Sequence, residues 1–343
     1  TGIRQKKKKN GGILMGVYVA SRQFVLFLQK EAAAPSKIAH TRRSALYSNG
    51  RIRLSGFFMT QITYSTPLTQ LAVLRLTGED TASFLQGQLT NDVTKVTTNT
   101  LLTAGWCSPR GRLLTVFRLV KSGGDFLLVV PADDIEAVMK RLRMYVLRSR
   151  VKVALDTSLK AVGVIGEPTA PCFTQTSGTD AALSALGLPA GRALVLVPAD
   201  EAPKEDAALE SLYWAASAAA GDVFVFLPVK DQFVPQGINL ELTGGVSFTK
   251  GCYTGQEIVS RVEHIGKTPR RAALYRADKC LPAGTVVKTA AGEEAGIVVY
   301  GGTAPQGAAM LIQVANDTVG EPLAFKDMTL TPLPLPYSYE RQH

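Results

Sequence analysis

From Leu71 onward the apolar residues fall into strand-length runs separated by turn residues and short helical stripes. L-A-V-L-R-L-T (71–77) is nearly continuous in apolar character and predicts a buried strand. G-E-D then turns the chain into a short helix around 79–88 with Phe84 and Leu85 facing inward. Residues 100–107 and 112–120 are apolar runs split by S-P-R-G, which predicts a hairpin, and 125–131 predicts a third strand. Asp133 and Asp134 precede a helix to about residue 146, with Ile135, Val138, Met139 and Leu142 on one stripe, and 151–155 returns as a strand.

The second half repeats the alternation more loosely. Residues 161–166 and 193–198 predict buried strands, 168–190 is a variable connection, and 205–221 predicts a helix closed by Gly221. After Arg271 the texture becomes short strands broken by glycine-rich turns, which predicts a small all-β module ending near Leu330. The tail P-L-P-L-P-Y cannot be helical and is expected to lie along another domain. The fold class is α+β. The expected division is a basic leader over 1–58, an α/β region over 59–268 in two subdomains (about 66–156 and 157–268), and a C-terminal β module with its tail over 269–343.

Composition changes the picture at one end only. Residues 1–58 hold twelve Lys/Arg and one acid, whereas the other 285 residues hold 26 basic and 27 acidic side chains. The overall charge of +10 is therefore a property of the leader. A nearly neutral body offers no reason to expect direct nucleic-acid binding, so a nucleic-acid binder acting through the basic segment 1–58 is the weakest of the alternatives. The leader reads as a segment outside the fold, with a targeting segment as the alternative: Lys6–Lys9 precede an apolar run, and the remainder is Arg-rich and poor in acids. Arg22 and Gln23 interrupt the apolar stretch 13–29, so a membrane span is not expected.

Four scattered cysteines (107, 172, 252, 280) and three histidines form neither a disulfide framework nor a metal module. His264 reads as a surface residue near a helix end. Cys252 differs from the other cysteines in its surroundings, T-K-G-C-Y-T-G-Q-E (249–257). Thr254 and Glu257 have capping-box spacing, which would place Cys252 two residues before a helix N-cap and beside Lys250. Unpaired helix N–H groups and a nearby ammonium both favour a thiolate, so Cys252 is the candidate reactive residue, expected to titrate at ~6–7.5. The bland alternative is a buried structural cysteine. Asp92, Tyr213, Trp214, Gln236 and Asn239 are candidate pocket residues, the two aromatics as a flat wall and the others as polar contacts. Taken singly, such residues also serve as core, turns and caps.

K-G-C-Y-T-G-Q-E (250–257) resembles the signature of the YgfZ family, folate-binding relatives of the glycine-cleavage T-protein. F-V-P-Q-G-I-N-L (233–240), G-G-V-S-F (244–248), Q-G-Q-L-T-N-D-V (86–93) and the closing P-L-P-L-P-Y-S (332–338) are also similar. The resemblance spans about residues 66–340. It implies two intertwined T-protein-like (GcvT-like) α/β subdomains around a folate pocket, followed by a C-terminal β-barrel. It also implies tetrahydrofolate as ligand and a role in maintaining iron–sulfur enzymes, including those that modify tRNA. Client enzymes or assembly factors would be the partners of a cytoplasmic monomer, or of a mitochondrial one if 1–58 is a transit peptide. Lys250 and Cys252 would carry the chemistry, with Gly251, Tyr253, Thr254, Gly255, Gln256 and Glu257 shaping the motif. Where relatives carry a pocket aromatic and an acid, this chain has Leu71 and Ala219. The turn 108–112 lacks the carboxylate of an aminomethyltransferase, which makes that activity the alternative. No metal site is expected.

Overall fold

In the computed structural model, residues 64–98, 101–166, 173–175, 180–188, 191–265 and 268–339 are described. The leader, Cys172 and Gly266 lie outside them. Strand β1 (Tyr64–Pro67) comes first, then β2 (Leu71–Thr77), helix α1 (Thr81–Gln88), β3 (Leu102–Cys107), β4 (Leu113–Ser122), β5 (Asp125–Pro131), α2 (Ile135–Val146) and β6 (Lys152–Leu155). The second segment holds β7 (Leu159–Ile165), β8 (Phe173–Gln175), α3 (Asp180–Leu186), β9 (Arg192–Pro198), α4 (Ala207–Ala219) and α5 (Gln256–Ile265). Strands β10 (Arg270–Ala277), β11 (Val286–Lys288), β12 (Glu294–Ala304), β13 (Gly307–Ala315), β14 (Leu323–Phe325) and β15 (Met328–Leu333) complete the chain.

Strands β3-β4-β5-β2-β6 form one sheet and β1-β7-β9-β8 a second, while β10-β13-β12-β11-β14-β15 close a barrel. β1 was not expected from the sequence. It pairs antiparallel with β7, Tyr64 opposite Ile165, so the first described strand lies in the second sheet, ahead of the strands that build the first. That crossing interlocks the two α/β units.

Side-chain parity explains where the centre lies. On β4, Leu114, Phe117 and Leu119 join the core beneath α1 and α2, while Val116 and Val120 face the core shared by all three units. Arg118 stands between Val116 and Val120 on that inner face. On β9, Ala193, Val195 and Val197 form a separate outer cluster, and Leu194 and Leu196 point to the shared core. Arg192 has their parity. Two arginines thus project into the middle of the molecule from two different sheets.

Helix α4 starts two residues later than expected, because the Asp206 carboxylate caps it by accepting from the N–H groups of Ala208 and Leu209. It lies against the barrel where Gly302 leaves no room for a side chain, since a Cβ there would sit 2.1 Å from Ser211 O. The acids before α2 do not cap it. Asp133 accepts from Leu227 N, and Asp134 pairs with Lys230, so both tie down the 227–230 segment instead. The proline-rich tail does run along other units. Tyr337 donates to Gly221 O at 3.0 Å and Tyr339 to Ala272 O at 3.0 Å.

Candidate functional site

The signature loop is held by two unusual contacts. Lys250 is buried, and its Nζ donates to the carbonyls of Gln86 (2.5 Å) and Leu89 (2.6 Å) at the C-terminal end of α1. Helix ends leave such carbonyls without intrahelical partners, and a cation suits them. The ammonium also lies 5.0 Å from the Tyr253 ring centre. Burial pushes the Lys250 ammonium down to about 8, with Asp92 and Cys252 pulling weakly the other way. Lys250 therefore anchors the loop to the first subdomain.

The second contact is at Gly255, which has φ +84°. A Cβ there would lie 2.5 Å from Ser108 O, 3.0 Å from Cys107 Cβ and 3.0 Å from Gly111 Cα. Gly111, at φ +67°, is equally tight against Ile258. The β3–β4 turn and the signature loop interlock through these two glycines. Gly251 has open space around it.

The capping box expected from Thr254 and Glu257 does not form. Helix α5 starts at Gln256, so Gly255 takes the position before the helix, and Gln256 N donates to Tyr253 O. Fitting Gly255 against the Ser108–Gly111 turn outweighs a cap worth about 1 kcal/mol. Cys252 consequently lies four residues ahead of the helix. Its thiol is exposed and free, while Tyr253 behind it is buried. Thr254 and Gln256 are half-buried, and Glu257 is exposed.

The other candidates separate into two groups. Asp92 sits near Lys250 but is enclosed in its own turn, accepting from Gln86 Nε2, Thr94 N and Thr94 Oγ1. The hydrogen bond from Thr94, above all, lowers its carboxyl below the usual range. Tyr213, Trp214, Gln236 and Asn239 lie around the shared core. Tyr213 and Trp214 are fully packed, Trp214 edge-on to Tyr213, Phe224, Phe226 and Tyr300 at 5.0–6.0 Å. Leu71 belongs to the same core cluster. Gln236 Nε2 donates to Val259 O (2.8 Å) and Asn239 Nδ2 to Ala272 O (2.7 Å), tying this segment to α5 and the barrel. Their carbonyl oxygens, Gln236 Oε1 and Asn239 Oδ1, are buried with no partner among the described residues.

Three further residues complete this centre and were not singled out in the sequence. Arg118 and Arg192 are 0% and 2% exposed, and both reach Asp222. Arg118 Nη2 lies 2.8 Å from Asp222 Oδ1, and Arg192 Nη2 lies 3.3 Å from Oδ2. Parity on two apolar strands was the available signal. Tyr300, whose hydroxyl donates to Asp222 O, also walls a cavity of about 290 Å³ with Trp214, Phe226 and the 280–283 loop. Cys107 is buried, its thiol pushed up to about 12 by desolvation and then by Asp231. Among the described residues no His/Cys/Asp/Glu group of three could hold a metal, and no helix is long and apolar enough to cross a membrane.

Two α/β units interlocked by β1, a closed barrel and a polar centre between them define a T-protein-like fold. The glycine cleavage system aminomethyltransferase T from Bartonella henselae superposes with a TM-score of 0.60 over 81% of this chain and 87% of that one, at 14% identity. Within that class the chain belongs to the YgfZ family. The tRNA-modifying protein YgfZ of Vibrio vulnificus (strain CMCP6) is 30% identical over 231 residues, which cover 61% of this chain and 68% of the relative. The Escherichia coli O127:H6 protein of the same name is 28% identical over 302 residues, 80% of this chain and 93% of its own. No protein-family model matches the chain.

Proposed function

We propose that this protein is a reduced-folate-binding accessory protein that supports iron–sulfur enzymes, tRNA-modifying ones among them, with Cys252 as its working residue. The observation that carries the folate reading is the set of partnerless buried polar atoms in the shared core. Gln236 Oε1 and Asn239 Oδ1 are acceptors, while Trp214 Nε1 is a donor. A reduced pterin carries both complements on one edge, amine and ring N–H donors beside a carbonyl acceptor. Buried polar atoms of native proteins are ordinarily satisfied, so a set of both kinds around one centre fits a polar ligand. Asn239 and Gln236 would hold the ring, and the bound folate would supply one-carbon chemistry. Tyr213 and Trp214 would wall the site by packing, since their edge-on partners leave no open ring face. Asp92, enclosed in its own turn, serves the loop that Lys250 anchors.

What supports the role of Cys252 is that the loop around it is immobilised while the thiol itself is exposed. A rigid loop with one accessible nucleophile suits transfer to, or protection of, a partner's site. The relatives are tRNA-modifying proteins by name, which adds tRNA modification to this reading. The aminomethyltransferase alternative requires a carboxylate at the folate amine, and both oxygens of Asp222 are already engaged by arginines. The test is replacement of the chromosomal gene by Cys252→Ser, measuring a cluster-dependent tRNA modification by mass spectrometry. The modification should fall to the level of the deletion strain, with protein abundance unchanged. Wild-type modification with Cys252→Ser would refute the assignment.

A further inference from the structure

The Arg118–Asp222–Arg192 cluster is out of balance. Two guanidinium groups, both buried, share one carboxylate, and neither forms the two-pronged contact that this geometry favours. Arg118 also donates to Val223 O (2.7 Å) and lies 4.1 Å from the Phe224 ring centre. Even so, Nε and Nη1 of Arg118 and Nε and Nη1 of Arg192 have no partner among the described residues. A buried cation left without its counter-charge is among the costliest arrangements in a protein interior. Four such nitrogens from two sheets form a preorganised anion receptor, because each arginine is fixed by a strand rather than a loop.

We propose that Arg118 and Arg192 form a subsite for a carboxylate of the bound ligand, which supplies the missing negative charge. The planar guanidinium fork matches a planar carboxylate, and a ligand that brings one converts the cluster from two cations and one anion to two of each. The Tyr300 ring walls the adjoining cavity, and its hydroxyl reaches Asp222 O at 2.8 Å. The proposal rests on reading the shared core as a ligand pocket but does not require that the ligand be a folate. It assigns to a folate one added feature, that the acidic tail and not only the ring is recognised in the interior.

Calorimetry on the full chain with four probes tests it: tetrahydropterin, p-aminobenzoylglutamate, the diamide of p-aminobenzoylglutamate, and sulfate at matched ionic strength. The acid should bind about 10- to 100-fold more tightly than its diamide, the scale of one or two charge-assisted bonds. Arg192→Met should abolish that ratio and leave tetrahydropterin affinity unchanged. The ligand-free Arg192→Met protein should also melt no lower than wild type, because the excess charge is gone and Asp222 keeps Arg118. A purely structural triad predicts the opposite, a lower melting temperature. Equal affinity for acid and diamide in the wild type overturns the proposal without any variant, and so does sulfate competing as well as the acid. If the acid binds and tetrahydropterin does not, the folate reading fails while this subsite stands. If tetrahydropterin binds and the acid does not, the reverse holds.

Discussion

Replacing Gly255 by alanine tests the interlock that presents Cys252. At φ +84° an alanine costs about 1 kcal/mol in backbone strain alone. Its Cβ would then meet Ser108 O at 2.5 Å and two carbons at 3.0 Å, where two are backbone atoms of a tight turn. Overpacking of that kind costs about 1–3 kcal/mol, so the sum is roughly 2–4 kcal/mol. For a protein of this size that corresponds to a melting temperature lower by roughly 3–7 °C, readable by differential scanning calorimetry. Gly251→Ala is the matched control. It has ordinary φ, nothing within 4 Å of the added carbon and an exposed position, so its effect should stay within about 0.5 kcal/mol. A Gly255→Ala protein that melts within 2 °C of wild type, or a Gly251→Ala protein that loses as much, would refute the reasoning.

Lys250→Met leaves the Gln86 and Leu89 carbonyls without their donor and should cost about 1–3 kcal/mol near neutral pH. The penalty has a pH dependence of definite sign. The folded ammonium titrates at about 8 and the unfolded one near 10.5, so between those values the unfolded chain binds more protons. Wild-type stability relative to Lys250→Met should therefore rise from pH 8 towards 10.5 and be flat below 8; a falling difference in urea titrations would contradict this. In brief iodoacetamide treatment at pH 8, peptide mass spectrometry should find Cys252 alkylated before Cys107 and Cys280. Cys280, pushed up to about 11 by burial, should react slowly, and Cys107 only after unfolding. Labelling of Cys107 in the native protein would show that the β3–β4 turn opens.

Much of this architecture is legible in the sequence because the strands are apolar runs and the breaks are Pro/Gly turns. The helix over 207–219, its Asp206 cap and the barrel's onset at Arg270 follow from local chemistry. What escapes local reading is long-range pairing. Nothing in Y-S-T-P identifies β1 as the partner of a strand about 100 residues later. Thr254 and Glu257 have the right spacing for a capping box, yet the turn at Ser108–Gly111 decides the helix start through Gly255. Arg118 reads locally as one polar residue in a long apolar strand. Its importance appears only when Arg192 and Asp222, from two other segments, arrive beside it. Lys250 is likewise adjacent to Cys252 in sequence, but its ammonium is committed to α1.

The central claim is that the polar interior between the two α/β units and the barrel holds a reduced folate. Anaerobic isothermal titration of tetrahydrofolate into the full chain tests it most directly, with Asn239→Ala in parallel. A one-to-one isotherm with micromolar affinity, about −7 to −8 kcal/mol, is predicted, weakened about tenfold or more in the variant. No heat and no thermal stabilisation at millimolar tetrahydrofolate would contradict the account.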